Sequence, residues 1–484
     1  MFLCREKELS LLNELYQKKG FQFVVMYGRR RVGKTTLLAE FVKGKPGIFF
    51  VSQEYDHATA LNIFSEKIHE HFGQTGLSAF ENWNAAFEFI AVRAMNERIV
   101  LVLDEFPYLV GANKSIPSVL QNLIDHQMLN SQLFLVVCGS SMSFMEKGLL
   151  SAKSPLYGRL TSQMRIEPFG FFDSCRFVPN YSMEDKVTAY GITGGIPQYL
   201  QKFSDTRSIR ENVLEEILKR SAYLYEEPRN LLKQELREPM VYNAIIEAIA
   251  NGASRLNDIV TKTGMQSDKC AKYIRSLIEL QILTRETPVG VVGGRKSIYK
   301  ITDHYFKFWY RFVFDNVELV EQDDGETLYD RFIEKKLSEF IGRNVFENIC
   351  IEYLRRLNRA RKLPFVFTKI GRWWGADPVQ KTQVEIDILA FHDECAVLCE
   401  CKWRNEPLDA AEMTKLFAKA ELFSKFTKKT FMFFSKSGFT QSAKKEATRI
   451  GGGSGGSGGG NGDRGGSVIL VDLKKLVDGV EVIL

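Results

Sequence analysis

The residues most clearly spaced for chemistry in this sequence lie in the segment YGRRRVGKTT, residues 27–36. The segment fits the pattern G-x-x-x-x-G-K-[ST] and joins an apolar run to an amphipathic helix. Such glycines let backbone N–H groups wrap a phosphate, while the lysine reaches the β- and γ-phosphates and the hydroxyl binds Mg²⁺. The spacing therefore predicts a site for ATP and Mg²⁺. The residues expected to contact the nucleotide are Gly28, Arg29, Arg30, Arg31, Val32, Gly33, Lys34, Thr35 and Thr36.

Acidic and hydroxyl side chains follow two further apolar runs. RIVLVLDE predicts a buried strand that ends in Asp104 and Glu105, and LFLVVCGSS predicts another that ends in Ser140. Because the carboxyl ends of parallel strands form the ligand edge of a sheet, Asp104 is expected to hold the magnesium ion through water. Glu105 is expected to act as general base on the attacking water. Ser140 is expected either to sense the γ-phosphate or only to cap a helix.

A second set of residues suited to catalysis or metal binding lies in VEIDILAFHDECAVLCECKW, residues 384–403. Side chains alternate between the two faces of a strand, so Asp387 lies on one face of the first strand, and Glu400 and Lys402 share a face of the second. If the two strands pair as a hairpin, these side chains converge. The two carboxylates would then bind Mg²⁺ beside the carbonyl of Cys401, and the lysine would orient a water for phosphodiester hydrolysis.

Several ordered motifs resemble the archaeal-type ATPase family, which are AAA-like ATPases of the STAND class. They are CREKELSLL, YGRRRVGKTTLL, LVLDEFPYL, VVCGSSMSFM, PLYGRLTSQMRIEPFGF and ITGGIPQYL. Cys4 stands where the family's N-terminal box has glycine. The resemblance implies that Arg159 contacts the nucleotide or a neighbouring subunit, the alternative being a surface salt bridge. It also implies that Gly194–Leu200 belongs to the lid helices.

The D…E-x-K spacing resembles the PD-(D/E)XK restriction-endonuclease-like fold, which includes archaeal Holliday-junction resolvases. The ATPase family often ends in this domain. The resemblance implies that Glu347 is an additional metal contact, beside Asp387 and Glu400. The alternative is a decayed nuclease that only binds nucleic acid or a partner. Zinc binding by Cys395, Cys399 and Cys401 is disfavoured, because no fourth ligand lies nearby and alternation places the last two on the covered face.

Between these regions the pattern predicts a winged helix-turn-helix, with three helices from about Pro239 and two strands around Gly293 and Gly294. Ser267 or Asp268 is expected to cap the third helix. A basic surface for DNA is predicted on that helix and at the wing tip; its members are Lys269, Lys272, Arg275, Arg295 and Lys296. The alternative is a winged helix that packs on the nucleotide domain and regulates it. The aromatic segment Asp303–Val320 is predicted to be a helix that packs between domains. A platform for base stacking is the minor alternative.

Composition sets the frame for these predictions. The chain has 484 residues, a formal net charge of +6 and eight cysteines without a C-x-x-C pair, which favours a reducing compartment. Neither a signal peptide nor a membrane span is expected, so a cytoplasmic protein is predicted, with DNA as partner and homo-oligomerisation as a further expectation. The segment Gly451–Ser467 is a flexible Gly/Ser linker by composition, natural or engineered.

The predicted fold class is α/β, with a P-loop NTPase of parallel sheet and helical lid, a winged helix-turn-helix and a restriction-endonuclease-like domain. The expected boundaries are 1–180 for the ATPase core, 181–238 for the lid, 239–303 for the winged helix, 304–335 for a helical connector and 336–484 for the nuclease-like domain. The expected function is an ATP-hydrolysing switch coupled to a DNA-binding, metal-dependent nuclease-like domain. A non-nucleolytic regulator, and an ATPase whose last domain docks a partner protein, are the alternatives.

Overall fold

A computed structural model describes residues 2–291, 296–378, 380–451 and 466–478. The predicted wing-tip residues Gly293, Gly294 and Arg295 lie outside the described residues, as do residues 452–465 of the predicted linker. The chain divides into two compact units. The first comprises the chain up to Pro168 together with Ile196–Gln198, and the second comprises the rest. The five predicted domain boundaries stay predictions.

The first unit is built on a five-stranded sheet in which every neighbouring pair is parallel. Its strands are β1 (Gln22–Tyr27), β2 (Gly47–Val51), β3 (Val100–Asp104), β4 (Phe134–Gly139) and β5 (Ser162–Arg165), in the order β2-β3-β4-β1-β5. Every residue of the three central strands β3, β4 and β1 is buried, as expected for apolar runs in a sheet covered on both faces. The carboxyl ends of these three strands therefore meet at one edge, as the sequence predicts.

The helices of the first unit cover this sheet. They are α1 (Glu6–Gln17), α2 (Lys34–Val42), α3 (His57–His71), α4 (Trp83–Arg93), α5 (Phe106–Ala112) and α6 (Ile116–His126), with a 3₁₀ turn at Met128–Asn130 and a π-helical segment at Phe144–Leu149. Their apolar faces build one core in which the rings of Phe64, Trp83 and Phe87 pack with centroids 5.2 to 5.9 Å apart. This core fixes the strands whose ends carry the polar residues.

The second unit begins with helices and contains an aromatic segment. Its first helices are α7 (Phe171–Ser174), α8 (Met183–Thr193), α9 (Pro197–Leu200, whose first two residues belong to the first unit), α10 (Ile209–Glu216) and α11 (Glu227–Glu235), with a 3₁₀ turn at Cys175–Phe177.

The aromatic rings of the helix His304–Phe312 are buried, and Trp309 donates a hydrogen bond to the carbonyl of Tyr225 at 2.9 Å. The part His304–Phe312 of the predicted segment is therefore a packing helix, and its buried rings contradict a base-stacking platform on this helix.

Three helices and a two-stranded antiparallel ladder occupy the middle of the chain. They are α12 (Pro239–Ala250), α13 (Leu256–Thr263), α14 (Ser267–Glu279), β6 (Leu283–Glu286) and β7 (Ile298–Ile301). Helix α14 has Gln266 at its N-cap, so the prediction of a Ser267 or Asp268 cap is off by one or two residues. Lys269, Lys272 and Arg275 are exposed on α14, because Cys270, Tyr273, Ile274 and Leu277 form its buried face.

The last part of the chain is a second α/β assembly. The chain passes through α15 (His304–Phe312), a 3₁₀ turn (Phe314–Asn316) and α16 (Val317–Glu321). A continuous helical stretch then combines α17 (Gly325–Leu328), α18 (Glu334–Ile341) and α19 (Glu347–Arg359) with π-helical joints at Tyr329–Ile333 and Gly342–Phe346. The later strands and helices are β8 (Lys369–Ala376), β9 (Gln383–His392), β10 (Cys395–Lys402), α20 (Ala410–Ala420), β11 (Lys428–Ser435), α21 (Gln441–Gly451), β12 (Gly466–Asp472) and α22 (Leu473–Asp478).

The sheet of this assembly has the order β12-β11-β10-β9-β8. Strands β8, β9 and β10 pair antiparallel, whereas β10, β11 and β12 pair parallel. The register aligns Leu389 with Leu398 and Ile388 with Cys399, and pairing ends there. Asp387, Glu400 and Lys402 consequently lie just beyond the last paired residues, where the two strands diverge.

Of the helices in the described part of the chain, none is both long and apolar enough to cross a membrane.

Candidate functional site

The loop between β1 and α2, residues 28–33, has the backbone conformation that phosphate binding requires, and we call it the phosphate loop. At Gly28 a Cβ atom would lie 2.3 Å from the carbonyl oxygen of Ile166, so only glycine fits beside β5. Gly33 has φ +88°, in the left-handed region that glycine adopts without strain, and it forms the N-cap of α2. The loop therefore delivers the N-terminus of a nine-residue helix to the edge of the sheet.

Lys34 is buried inside this loop. Its Nζ atom donates to the carbonyl oxygens of Gly28 and Arg29 at 2.9 and 3.0 Å. Burial lowers the pKa of Lys34 below its ordinary value, while Cys138, Glu105 and Asp104 act in the opposite direction. The ammonium group is thus held by neutral carbonyls, which phosphate oxygens can replace.

The structure brings Thr35, in the first turn of α2, together with the polar residues at the ends of β3 and β4. The Thr35 hydroxyl donates to Oδ2 of Asp104 at 2.7 Å. Glu105 adopts φ +50°, and its Oε2 accepts from the Ser140 hydroxyl at 2.9 Å and from the Ser140 N–H at 3.3 Å. The Ser140 side chain therefore binds the carboxylate of Glu105, the predicted general base, instead of capping a helix. Adjacent hydroxyl and carboxylate oxygens are ligands that Mg²⁺ prefers, so Thr35 and Asp104 fit this ion.

The remaining predicted nucleotide residues have different surroundings. Arg29 and Val32 are buried in the loop, Arg31 has φ +69°, and Thr36 is exposed at the start of α2. Arg30 donates to the Tyr108 hydroxyl at 3.1 Å.

Arg159 forms a two-pronged ion pair with Asp125, with N–O distances of 2.6 and 2.7 Å. The structure thus contains the surface salt bridge that was the alternative reading of Arg159.

Arg5 is a residue of this site that pattern reasoning missed. Its Nη2 atom donates to the carbonyl of Val32 in the phosphate loop at 2.9 Å and to the carbonyl of Glu167 at 2.7 Å. The preceding Cys4 has φ +64°, a conformation suited to the glycine that the resembled family has there. The N-terminal box was a usable signal, but nothing in its spacing identifies the loop carbonyl that the arginine binds.

The second group of predicted residues converges at the divergence of β9 and β10. Oδ2 of Asp387 accepts from the Cys401 N–H at 2.7 Å. Glu400 is buried and receives two ammonium groups, that of Lys402 at 2.5 Å and that of Lys419 on α20 at 3.5 Å. We call Asp387, Glu400, Lys402 and Lys419 the carboxylate cluster. Lys419 was not predicted, since it lies on a helix that the D…E-x-K spacing does not include.

Protonation in the carboxylate cluster departs from ordinary values. Burial raises the pKa of Asp387 to about 6, and the Glu400 carboxylate pushes in the same direction, against the Cys401 N–H and Lys402. Burial lowers the pKa of Lys402, but Glu400 and its hydrogen bond raise it more, so the pKa lies above its ordinary value. The lysine is therefore charged, and Asp387 titrates close to neutral pH.

Glu347 sits in a different set of contacts from the one predicted. Its Oε2 atom lies 3.0 Å from Nε of Arg372, which also pairs with Glu385 and lies 3.6 Å from Glu286. Burial raises the pKa of Glu347 to about 7, with Arg372 opposing. Within the described residues, no group of three or more His, Cys, Asp or Glu side chains is placed to hold a metal ion. Asp387 and Glu400 thus meet, whereas the structure ties Glu347 to an arginine.

Among the described residues, Cys395, Cys399 and Cys401 do not form a group placed to hold a metal ion. All eight cysteines are free thiols, and Cys399 is fully buried.

Comparisons with known proteins match both halves of the chain. A family model for an ATPase domain predominantly from Archaea matches residues 2–203, and a model for archaeal and bacterial proteins of unknown function matches residues 309–416. An uncharacterized protein of Methanocaldococcus jannaschii, MJECL04, is 34% identical over 409 residues, which cover 84% of this chain and 88% of that protein.

Shorter and more distant similarities accompany these. An uncharacterized ATP-binding protein of the same organism, MJ0423, is 40% identical over 45 residues, which cover 9% of this chain and 76% of that protein. Among solved structures, the Walker-type ATPase PABY2304 of Pyrococcus abyssi is similar at a TM-score of 0.46 and 18% identity, covering 64% of this chain and 96% of that one.

Proposed function

This chain belongs to the family with an ATPase domain found predominantly in Archaea, and we propose that it is an ATP-hydrolysing switch for a nucleic-acid-directed C-terminal domain. The observation that carries the ATPase part is the contact of Thr35 with Asp104, 2.7 Å apart, beside the Glu105–Ser140 pair. A short relative is named as ATP-binding, which agrees with this assignment.

Each residue of the nucleotide site has a role in the proposed hydrolysis. Lys34 exchanges the carbonyls of Gly28 and Arg29 for phosphate oxygens, and the loop N–H groups hold the β-phosphate. Glu105 orients the attacking water and accepts its proton, while Ser140 fixes the Glu105 carboxylate. Thr35 and Asp104 would hold Mg²⁺, which would supply positive charge to the phosphates.

The proposed switch is tested by ATP hydrolysis in matched lysine variants. Lys34→Ala removes the buried ammonium, and Lys43→Ala removes an exposed one near the end of the same helix, whose side chain is 71% exposed. We expect Lys34→Ala to lower the rate on the order of 100-fold or more. Lys43→Ala should leave it unchanged. Equal rates in the two variants would contradict the assignment.

For the C-terminal domain we propose the restriction-endonuclease-like fold and a metal-dependent nuclease. Support comes from the mixed sheet with antiparallel β8-β9-β10 and parallel β11, and from Asp387, Glu400 and Lys402 at the point of divergence. Asp387 and Glu400 offer hard oxygen ligands that fit Mg²⁺ or Mn²⁺, which would supply an activated water. Lys402 would hold a phosphate oxygen or orient that water.

The nuclease part is tested on linear, single-stranded and branched DNA, with Mg²⁺ or Mn²⁺ and with or without ATP. We expect cleavage by the wild type that Asp387→Asn or Lys402→Ala abolishes. Asp393→Asn is the matched control, because Asp393 is 84% exposed in the turn between the same two strands. No cleavage of any substrate by the wild type would rule out the nuclease and leave the ATPase part standing.

A second candidate is a STAND-type regulator without nuclease activity. One observation favours it: the hairpin expected to be a DNA-binding wing is attached to the C-terminal sheet. Arg372 of β8 lies 3.6 Å from Glu286 of β6, and its carbonyl accepts from the Val289 N–H at 2.9 Å. We infer that, in the winged helix as we assign α12 to β7, Glu286 and Val289 pack the hairpin against β8, while α14 keeps its exposed cations for DNA.

The DNA contact proposed for α14 is separately testable. Replacing Lys269, Lys272 and Arg275 by glutamine should weaken DNA binding and lower its salt dependence, because each removes a phosphate contact. Binding that is unchanged in the triple variant would show that α14 does not contact DNA.

Assembly into oligomers stays a prediction, since the Arg159 side chain that is expected to contact a neighbouring subunit is paired with Asp125.

A further inference from the structure

A cavity of about 540 Å³ lies in the second unit, between the middle helices and the C-terminal helices. Its apolar wall is formed by Ile249, Ile301, Phe312 and Phe340, all of which are buried. Its polar wall carries six cationic side chains and two carboxylates; these are Lys300, Lys307, Arg311, Lys336, Arg343, Arg372, Glu339 and Glu347. An apolar wall with a few converging charges is the usual composition of a ligand site, and here the charge is strongly positive.

Three of the six cations are already neutralised. Lys300 lies 2.7 Å from Glu286, Arg343 lies 3.0 Å from Glu339, and Arg372 lies 3.0 Å from Glu347. Both carboxylates of the cavity wall, those of Glu339 and Glu347, are therefore already in ion pairs.

The other three cations, Lys307, Arg311 and Lys336, have no side-chain hydrogen bond or ion pair with any residue in the described ranges. Lys307 is the most enclosed of them, since α15 carries it among buried aromatic residues. Burial lowers its pKa to about 7 and Lys300 lowers it further, whereas the carboxylates of Glu286 and Glu347 act in the opposite direction. Arg311 and Lys336 are exposed, so the three cations that line this cavity without an ion pair in the described ranges are open to an anionic occupant.

We propose that this cavity is a binding site for the phosphate groups of a nucleotide or of a nucleic-acid strand. Two or more phosphate groups would together balance Lys307, Arg311 and Lys336, and phosphate oxygens accept several charged hydrogen bonds at once. The apolar wall can cover the base or sugar attached to it. The cavity shares no residue with the phosphate loop, and the proposal depends neither on ATP hydrolysis nor on nuclease activity.

The test measures phosphate binding in a Lys34→Ala background, which removes the lysine of the phosphate loop. Inorganic pyrophosphate is titrated by calorimetry, and a fluorescent DNA single strand is titrated by anisotropy. Lys307→Gln, Arg311→Gln and Lys336→Gln are compared with Lys335→Gln, an exposed lysine on the same helix as Lys336 that does not line the cavity. Melting temperatures check that each variant is folded.

We expect each cavity variant to weaken binding about ten-fold and Lys335→Gln to leave it unchanged. Pyrophosphate that displaces the DNA strand would identify a nucleic-acid backbone as the ligand. Pyrophosphate binding without strand binding would identify a free nucleotide. Absence of binding, or equal affinity in all four variants, would overturn the proposal. Because the phosphate loop is disabled throughout, that outcome would leave the proposed ATPase function intact.

Discussion

The phosphate loop and the carboxylate cluster are both polar sites at strand ends, but they satisfy their charges in opposite ways. In the phosphate loop, the Lys34 ammonium donates to two neutral backbone carbonyls, those of Gly28 and Arg29. In the carboxylate cluster, Glu400 receives two ammonium groups, and nearby Glu347 is paired with an arginine. A charge held by neutral partners is available to a ligand of opposite sign, whereas a charge held by counter-ions must release them first.

The difference indicates how each site should respond to its ligand. The phosphate loop can accept an anion by exchanging weak hydrogen bonds for charged ones. The carboxylate cluster can accept a divalent cation only if Lys402 or Lys419 moves away from Glu400, or if the metal uses the other carboxylate oxygens. Metal binding there is therefore expected to be weaker than nucleotide binding and more sensitive to single charges.

The largest expected effect concerns Glu105, the proposed general base of the proposed nucleotide site. Glu105→Gln keeps the side-chain shape and an acceptor for Ser140 but removes the group that takes the proton. We expect ATP hydrolysis to fall on the order of 10²- to 10⁴-fold while nucleotide binding persists, measured by phosphate release and by nucleotide titration. Glu97→Gln, an exposed acid just before β3, is the control. Hydrolysis that survives Glu105→Gln would mean that the site is not assembled as the structure indicates.

The next effect tests the arginine that supports the phosphate loop. Arg5→Ala removes charged hydrogen bonds to the carbonyls of Val32 and Glu167. We expect a loss of about 2–3 kcal/mol in the free energy of unfolding, measured by urea denaturation, because hydrogen bonds to charged groups contribute about that much. Lys7→Ala, an exposed position in the helix α1 that Arg5 precedes, should change it little. Equal losses would show that the two hydrogen bonds of Arg5 do not stabilise the fold.

The parts of the two sites that the sequence predicts correctly are those set by short-range geometry. Residues 28–35 are close together in sequence, and their glycine spacing is enough to predict the backbone conformation of the loop. Asp104 and Glu105 are predicted because they lie at the end of an apolar strand. The alternation of β9 and β10 likewise places Asp387 and Glu400 on one face once the hairpin forms. In each case the spacing and the period of the element are enough to bring the atoms together.

The parts that the sequence does not predict depend on pairing between distant segments. Arg5 reaches a loop carbonyl 27 residues away and a second carbonyl 162 residues away. Lys419 reaches Glu400 from a helix packed on the sheet, and Arg372 of β8 pairs with Glu347 of α19. No local period specifies which long side chain of one element meets a charge on another, because that depends on tertiary packing.

A third prediction uses the pH dependence of the carboxylate cluster. The pKa of Asp387 is raised to about 6, so the carboxyl is protonated and neutral below that pH and cannot bind a metal ion. We expect Mn²⁺ affinity, measured by electron paramagnetic resonance without nucleotide, to fall up to about ten-fold per pH unit below pH 6 and to level off above it. Asp387→Asn should abolish this slope together with most of the affinity, and Asp393→Asn should preserve both. A flat profile in the wild type would place the metal elsewhere.

The smallest effect decides whether counter-ions restrain the carboxylate cluster. Lys419 lies 3.5 Å from Glu400 and is 30% exposed, so it can be removed without opening the core. Lys419→Ala should strengthen Mn²⁺ binding about three- to ten-fold at neutral pH, because one competing positive charge at a partly exposed distance is worth about a kilocalorie per mole. Lys415→Ala, on the same helix and exposed, should have no such effect. Weaker metal binding in Lys419→Ala would mean that the lysine holds Glu400 in its binding position, and the contrast between the two sites would then be one of geometry and not of charge.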